Sequence, residues 1–67
     1  MQITLNGQPH RADRGPQTIS EFVSTLETGK QPVLVELNGE AILKREFDER
    51  RIEDGDVVEV IRMVAGG

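Results

Sequence analysis

At 67 residues, with a net charge of −4 and no cysteine, the chain has room for one small domain and none for disulfide staples, a thiolate nucleophile or a cysteine metal site. Twelve acidic residues against eight basic ones, with Phe22 and Phe47 as the whole aromatic complement, exclude the basic face and stacking platforms that a nucleic-acid binder needs. A domain this small buries about 60% of its unfolded surface, so a deep ligand pocket and a self-sufficient enzyme are not expected. Along the chain, Met1–Asn6 alternates, with Ile3 and Leu5 on one side and Gln2 and Thr4 on the other, the period of a half-buried strand. Asn6-Gly7 is a hairpin signal, because both residues accept positive φ. Gln8–Ala12 is then the returning strand, and Pro9, which donates no ladder hydrogen bond, places it at an edge.

Asp13–Gln17 reads as a loop broken by Gly15-Pro16. Thr18-Ile19-Ser20-Glu21 fits a capping box, in which Thr18 and Glu21 each bond the other's backbone N–H. Ile19, Phe22, Val23 and Leu26 follow at the spacing of one apolar helical stripe, and Gly29 is placed to end that helix. Val33–Asn38 reads as a third strand with Val33, Val35 and Leu37 on one face. Asn38-Gly39 is a second hairpin signal, with Glu40–Leu43 returning. Lys44–Arg51 predicts a short helical turn anchored inward by Phe47, and Ile52 precedes a tight turn at Asp54-Gly55-Asp56. Val57–Met63 is the last strand, and Val64-Ala65-Gly66-Gly67 trails from it.

The order β-β-α-β-β-turn-β, with a last strand able to return beside the first, predicts an α+β fold. It is the β-grasp, or ubiquitin-like, architecture: a mixed four- to five-stranded sheet with one main helix across one face. The division expected is a β-grasp domain over residues 1–63 and a flexible tail over 64–67.

The tail carries the chemistry. Glycine has no side chain, so an extended Gly66-Gly67 can pass a narrow channel into a partner's active site while the domain stays outside. A carboxylate is a poor electrophile until coupled to a leaving group such as AMP, after which a sulfur nucleophile can displace it. Nothing in the chain catalyses either step, so an ATP-using partner enzyme is required and no cofactor is expected on the chain itself.

The other candidates have plainer readings. His10 reads as a solvated strand histidine. Asp54 and Asp56 form a turn without the ligand spacing of a calcium loop, and one histidine makes no zinc site, so no metal is expected. Arg45, Arg50 and Arg51 alternate with Glu46, Asp48, Glu49 and Glu53 as a self-neutralising surface. Met63, with Ile42 if its strand turns that face outward, is a candidate docking patch for a partner. No leader and no run of about 18 apolar residues is present, which predicts a cytoplasmic protein with no membrane contact.

In order along the whole chain, Asn6-Gly7, Gly15-Pro16-Gln17-Thr18-Ile19, Leu37-Asn38-Gly39-Glu40, Arg45-Glu46-Phe47, Asp54-Gly55-Asp56 and the closing Val64-Ala65-Gly66-Gly67 resemble the ThiS/MoaD branch of ubiquitin-like proteins, and within it the ThiS sulfur carriers of thiamine biosynthesis. The sequence departs from that family at Lys44, where members often carry proline, and at Phe47, where they often carry tryptophan. The resemblance implies that Gly67 is adenylated by an E1-like enzyme of the ThiF type and receives sulfur from a persulfide donor. The resulting thiocarboxylate would serve a thiazole synthase of the ThiG type. Carriers for molybdopterin or tRNA thiolation, and a ubiquitin-like conjugation or binding module, remain as alternatives.

Overall fold

The computed structural model describes residues 1–27 and 31–63. The strands are β1 (Gln2–Leu5), β2 (Gln8–Arg11), β3 (Gln17–Thr18), β4 (Val33–Leu37), β5 (Glu40–Ile42), β6 (Arg51–Ile52) and β7 (Val57–Arg62). Helix α1 covers Ile19–Ser24, and a single 3₁₀ turn covers Lys44–Glu46.

Two hairpins set the sheet. Asn6 and Gly7 have φ of 50° and 81°, and Asn38 and Gly39 have 51° and 84°, the left-handed pairs that a two-residue turn between twisted strands requires. The main sheet runs β2-β1-β7-β4-β5. The last strand lies at its centre, parallel to β1 and antiparallel to β4, as expected of a strand returning beside the first. Strand β2, with Pro9, sits at the edge as predicted.

The asparagines that start the turns also repair the sheet. β1 pairs with β7 only through Thr4 and Leu5. Asn6 then extends the ladder with its side chain: Oδ1 accepts from the Val60 N–H at 2.8 Å, and Nδ2 donates to the Val60 carbonyl at 3.2 Å. Asn38 Oδ1 accepts from the Val57 N–H at 2.8 Å.

The capping box forms as predicted, with Thr18 Oγ1 accepting from the Glu21 N–H at 3.1 Å and Glu21 Oε1 accepting from the Thr18 N–H at 2.9 Å. The helix is shorter than its apolar stripe suggests. It stops at Ser24, where the hydroxyls of Ser24 and Thr25 donate to the carbonyls of Glu21 and Phe22. The Thr25 N–H also reaches only three residues back, to Phe22, which tightens the last turn. Leu26 nonetheless packs against the core, and Gly29, the expected terminator, lies outside the described residues.

One pairing was not expected. Gln17 and Thr18, read as loop and cap, pair antiparallel with Ile52 and Arg51 in a separate two-stranded ribbon. Two-residue strands are too short to show a period of two. What holds them is tertiary: Ile19 N–H donates to the Arg50 carbonyl, and Ser20 N–H to the Phe47 carbonyl. Ile19, Phe22, Val35, Ile52 and Val58 form the fully buried centre, with Phe47 closing it as the inward anchor.

Candidate functional site

The tail Val64-Ala65-Gly66-Gly67 lies outside the described residues, so the site is described from the strand that leads to it. That strand is the most firmly held in the sheet. Five residue pairs, from Val33↔Arg62 to Leu37↔Val58, tie β7 to β4. On its other side are Thr4, Leu5 and the Asn6 amide. Met63, the last described residue, is still anchored, its N–H donating to the Pro32 carbonyl at 2.9 Å.

The candidate docking residues separate. Met63 is 47% exposed and stands at the root of the tail. Ile42 does not join it. Its side chain is only 5% exposed, because the Val35↔Ile42 pairing turns both toward the core. Among the described residues the exposed large apolar side chains are instead Leu34, Leu43, Val57, Ile61 and Met63, each about half exposed. Sequence carried a signal for them: Val33–Leu37 and Val57–Ile61 are apolar on both phases of the strand, and helix covers only one face.

The remaining candidates have structural roles. His10 is not simply solvated; its ring meets the Phe22 ring edge-on at a centroid distance of 5.7 Å. Asp54 Oδ1 accepts from the Gln2 N–H, and Asp56 accepts from the Glu53 N–H and from Asn38 Nδ2, so both carboxylates hold the turn. Arg50 forks onto Glu40 at 2.9 and 3.3 Å, which holds that carboxyl below its ordinary range and the guanidinium above its own. Arg51 donates to the Pro16 carbonyl. A surface depression of about 430 Å³ lies between the end of β2 and the end of α1, lined by residues that include His10, Arg11, Arg14, Gln17, Thr25 and Leu26. It holds no nucleophile with an adjacent base, and the Thr25 hydroxyl is engaged with the Phe22 carbonyl. Among the described residues no cluster of three or more metal-ligating side chains occurs, and no helix is long and apolar enough to cross a membrane.

A mixed five-stranded sheet with one helix across a single face is the β-grasp, or ubiquitin-like, fold. The ThiS family model matches residues 3–67. The sulfur carrier protein ThiS of Thermus thermophilus is 37% identical over 65 residues, spanning 97% of this chain and 98% of that one. The crystal structure of the thiamine biosynthesis protein ThiS from Geobacter metallireducens superposes with a TM-score of 0.86 at 36% identity, each chain fully covered. A thiazole synthase of Magnetococcus marinus matches the whole chain at 30% identity through 20% of its own length. The chain belongs to the ThiS family, the sulfur carriers of thiamine biosynthesis. It is a small carrier rather than a catalyst.

Proposed function

We propose that Gly67 is the group that carries sulfur, and that Val64, Ala65 and Gly66 thread it into the active sites of partner enzymes. The observation that carries this reading is the placement of Gly66-Gly67 in the sequence shortly after the central strand, with only Val64 and Ala65 between the pair and Met63. The strand fixes where the tail leaves the body. Glycine lets it enter a channel too narrow for side chains.

The chemistry follows from the terminus. A partner of the ThiF type uses ATP to convert the Gly67 carboxylate to an acyl adenylate, releasing pyrophosphate. A persulfide donor attacks the acyl carbon and expels AMP, giving an acyl disulfide. A thiol then reduces its S–S bond and frees the thiocarboxylate. The chain binds no cofactor of its own; ATP belongs to the activating partner. The acceptor is a thiazole synthase of the ThiG type. The Magnetococcus synthase supports this choice, since a stretch similar to this chain lies within the same polypeptide as a thiazole synthase. All of these steps are placed in the cytoplasm.

The test is intact-mass spectrometry after incubation with ATP, the adenylating enzyme and a persulfide donor. The expected result is exchange of one oxygen for one sulfur on the C-terminal peptide, abolished by deletion of Gly67. An unchanged mass together with no pyrophosphate release would overturn the reading.

A further inference from the structure

The depression between β2 and α1 takes no part in the chemistry of the terminus. It forms because β2 is an edge strand whose inner side chains are small or turned aside. His10 stands opposite buried Ile3 and lays its ring against Phe22, and Ala12 is buried beyond it. Thr25 and Leu26 close the helix side. Arg11, Asp13 and Arg14 stand exposed around the rim. Arg11 is opposite Gln2, and the Gln2 carbonyl accepts from the Gly55 N–H, just ahead of β7. This rim is therefore at the end of the sheet where β7 begins, whereas Met63 lies where it ends.

Two observations point to a ligand. The first is Gln17. It forms part of the wall yet is only 2% exposed, and among the described residues its Oε1 has no hydrogen-bond partner. A buried carbonyl oxygen without a donor costs stability, and an apolar side chain of similar size would avoid that cost. The second is charge. The chain carries −4 overall, yet this rim bears two guanidiniums against one carboxylate, with His10 beside them. Arg14 meets only Glu21, at 3.6 Å with both side chains exposed, so its guanidinium can turn to a stronger anion. The space, about 430 Å³, is that of a small-molecule site and far more than one water fills.

We infer that the depression binds a small phosphate monoester that carries a hydrogen-bond donor of its own. The phosphate sits at the rim between Arg11 and Arg14, whose planar forks match its oxygens. The donor, an amino or hydroxyl group on the organic part, reaches inward to Gln17 Oε1. Leu26 offers apolar wall to the carbons between. A dianionic phosphate suits the rim better than a carboxylate, because Asp13 already opposes the arginines with one negative charge. The site stands apart from the reading of Gly67 and holds or fails without it.

The experiment is an NMR titration of the full-length, isotope-labelled chain. The probe is 2-aminoethyl phosphate, which has both a phosphate and an ammonium. Ethyl phosphate keeps the first group alone and ethanolamine the second. Saturable shifts are expected at His10, Arg11, Arg14 and the Gln17 side-chain amide, with ethyl phosphate bound about tenfold more weakly and ethanolamine not at all. R11Q/R14Q should abolish binding of 2-aminoethyl phosphate. Q17L should be at least as stable as wild type in denaturation and should bind the two phosphates equally. If Q17L does not fold, Q17M carries the same comparison, and R11Q/R14Q, altered only at exposed positions, still tests the anion contact. No saturable shift up to about 10 mM would overturn the proposal and leave Gln17 to water. Equal affinity of the wild type for the two phosphates would overturn the part given to Gln17. Equal affinity for β-alanine, which replaces the phosphate by a carboxylate, would overturn the choice of anion.

Discussion

Replacing Asn6 by alanine should damage the fold more than a position at a hairpin tip suggests. Two part-buried hydrogen bonds to Val60 are lost, at 2.8 and 3.2 Å, each contributing about 0.5–1.5 kcal/mol. Alanine must also hold φ near 50°, at a cost of about 1–2 kcal/mol that the locally hydrogen-bonding asparagine side chain largely offsets in the wild type. The sum is about 2–5 kcal/mol, against a total stability of about 3–10 kcal/mol for a domain of this length. The midpoint of thermal unfolding should fall by about 10 °C or more. Circular dichroism is the appropriate probe, since the chain has no tryptophan or tyrosine. Asn6→Gly separates the two causes: it keeps the left-handed turn but loses both bonds, and should fall between wild type and Asn6→Ala. An Asn6→Ala loss within about 0.5 kcal/mol of zero, the range of an ordinary surface change, would refute the role given to the amide. Equal losses in the two variants would refute the part assigned to backbone strain.

Three further outcomes follow from the same geometry. Thr18→Ala removes the capping box and should cost about 1 kcal/mol, read from guanidinium unfolding; a shift of the midpoint to higher denaturant would count against it. Glu21 is held below its ordinary pKa by the Thr18 backbone N–H and hydroxyl, and Glu40 by Arg50. Their folded-state pKa values lie below the unfolded ones, so their contribution is complete above the ordinary carboxylate range and is lost as pH falls through the folded values. Thermal midpoints should therefore drop between about pH 5 and pH 3, and Glu40→Gln should flatten that slope; an unchanged slope would refute the assignment. Met63→Asp should leave the fold intact and weaken binding to the adenylating enzyme. Ile42→Asp should instead unfold the chain, because it puts an unpaired charge in the core. Circular dichroism separates the two, and a folded Ile42→Asp variant would contradict the inward orientation.

Much of the fold was legible because its signals are local. An Asn-Gly pair fixes a turn through its own φ values, and Thr18 and Glu21 cap a helix across three residues. That Val33, Val35 and Leu37 share one face of their strand follows from the pleat alone. Gly66-Gly67 stands out in the sequence for the same reason, since the role proposed for it depends on the absence of side chains. Tertiary structure decided the rest. Whether Ile42 or Leu43 faces the core depends on which β4 residue stands opposite, and Glu40-Ala41-Ile42-Leu43 is apolar on both phases. The ribbon of Gln17–Thr18 with Arg51–Ile52 exists because helix and 3₁₀ turn bring two short segments together. That Glu36 and Glu59 stand opposite each other likewise shows only once β7 enters the sheet beside β4. Residues within one turn or strand act over a few ångströms of chain, whereas side chains more than twenty positions apart meet only where the sheet register places them.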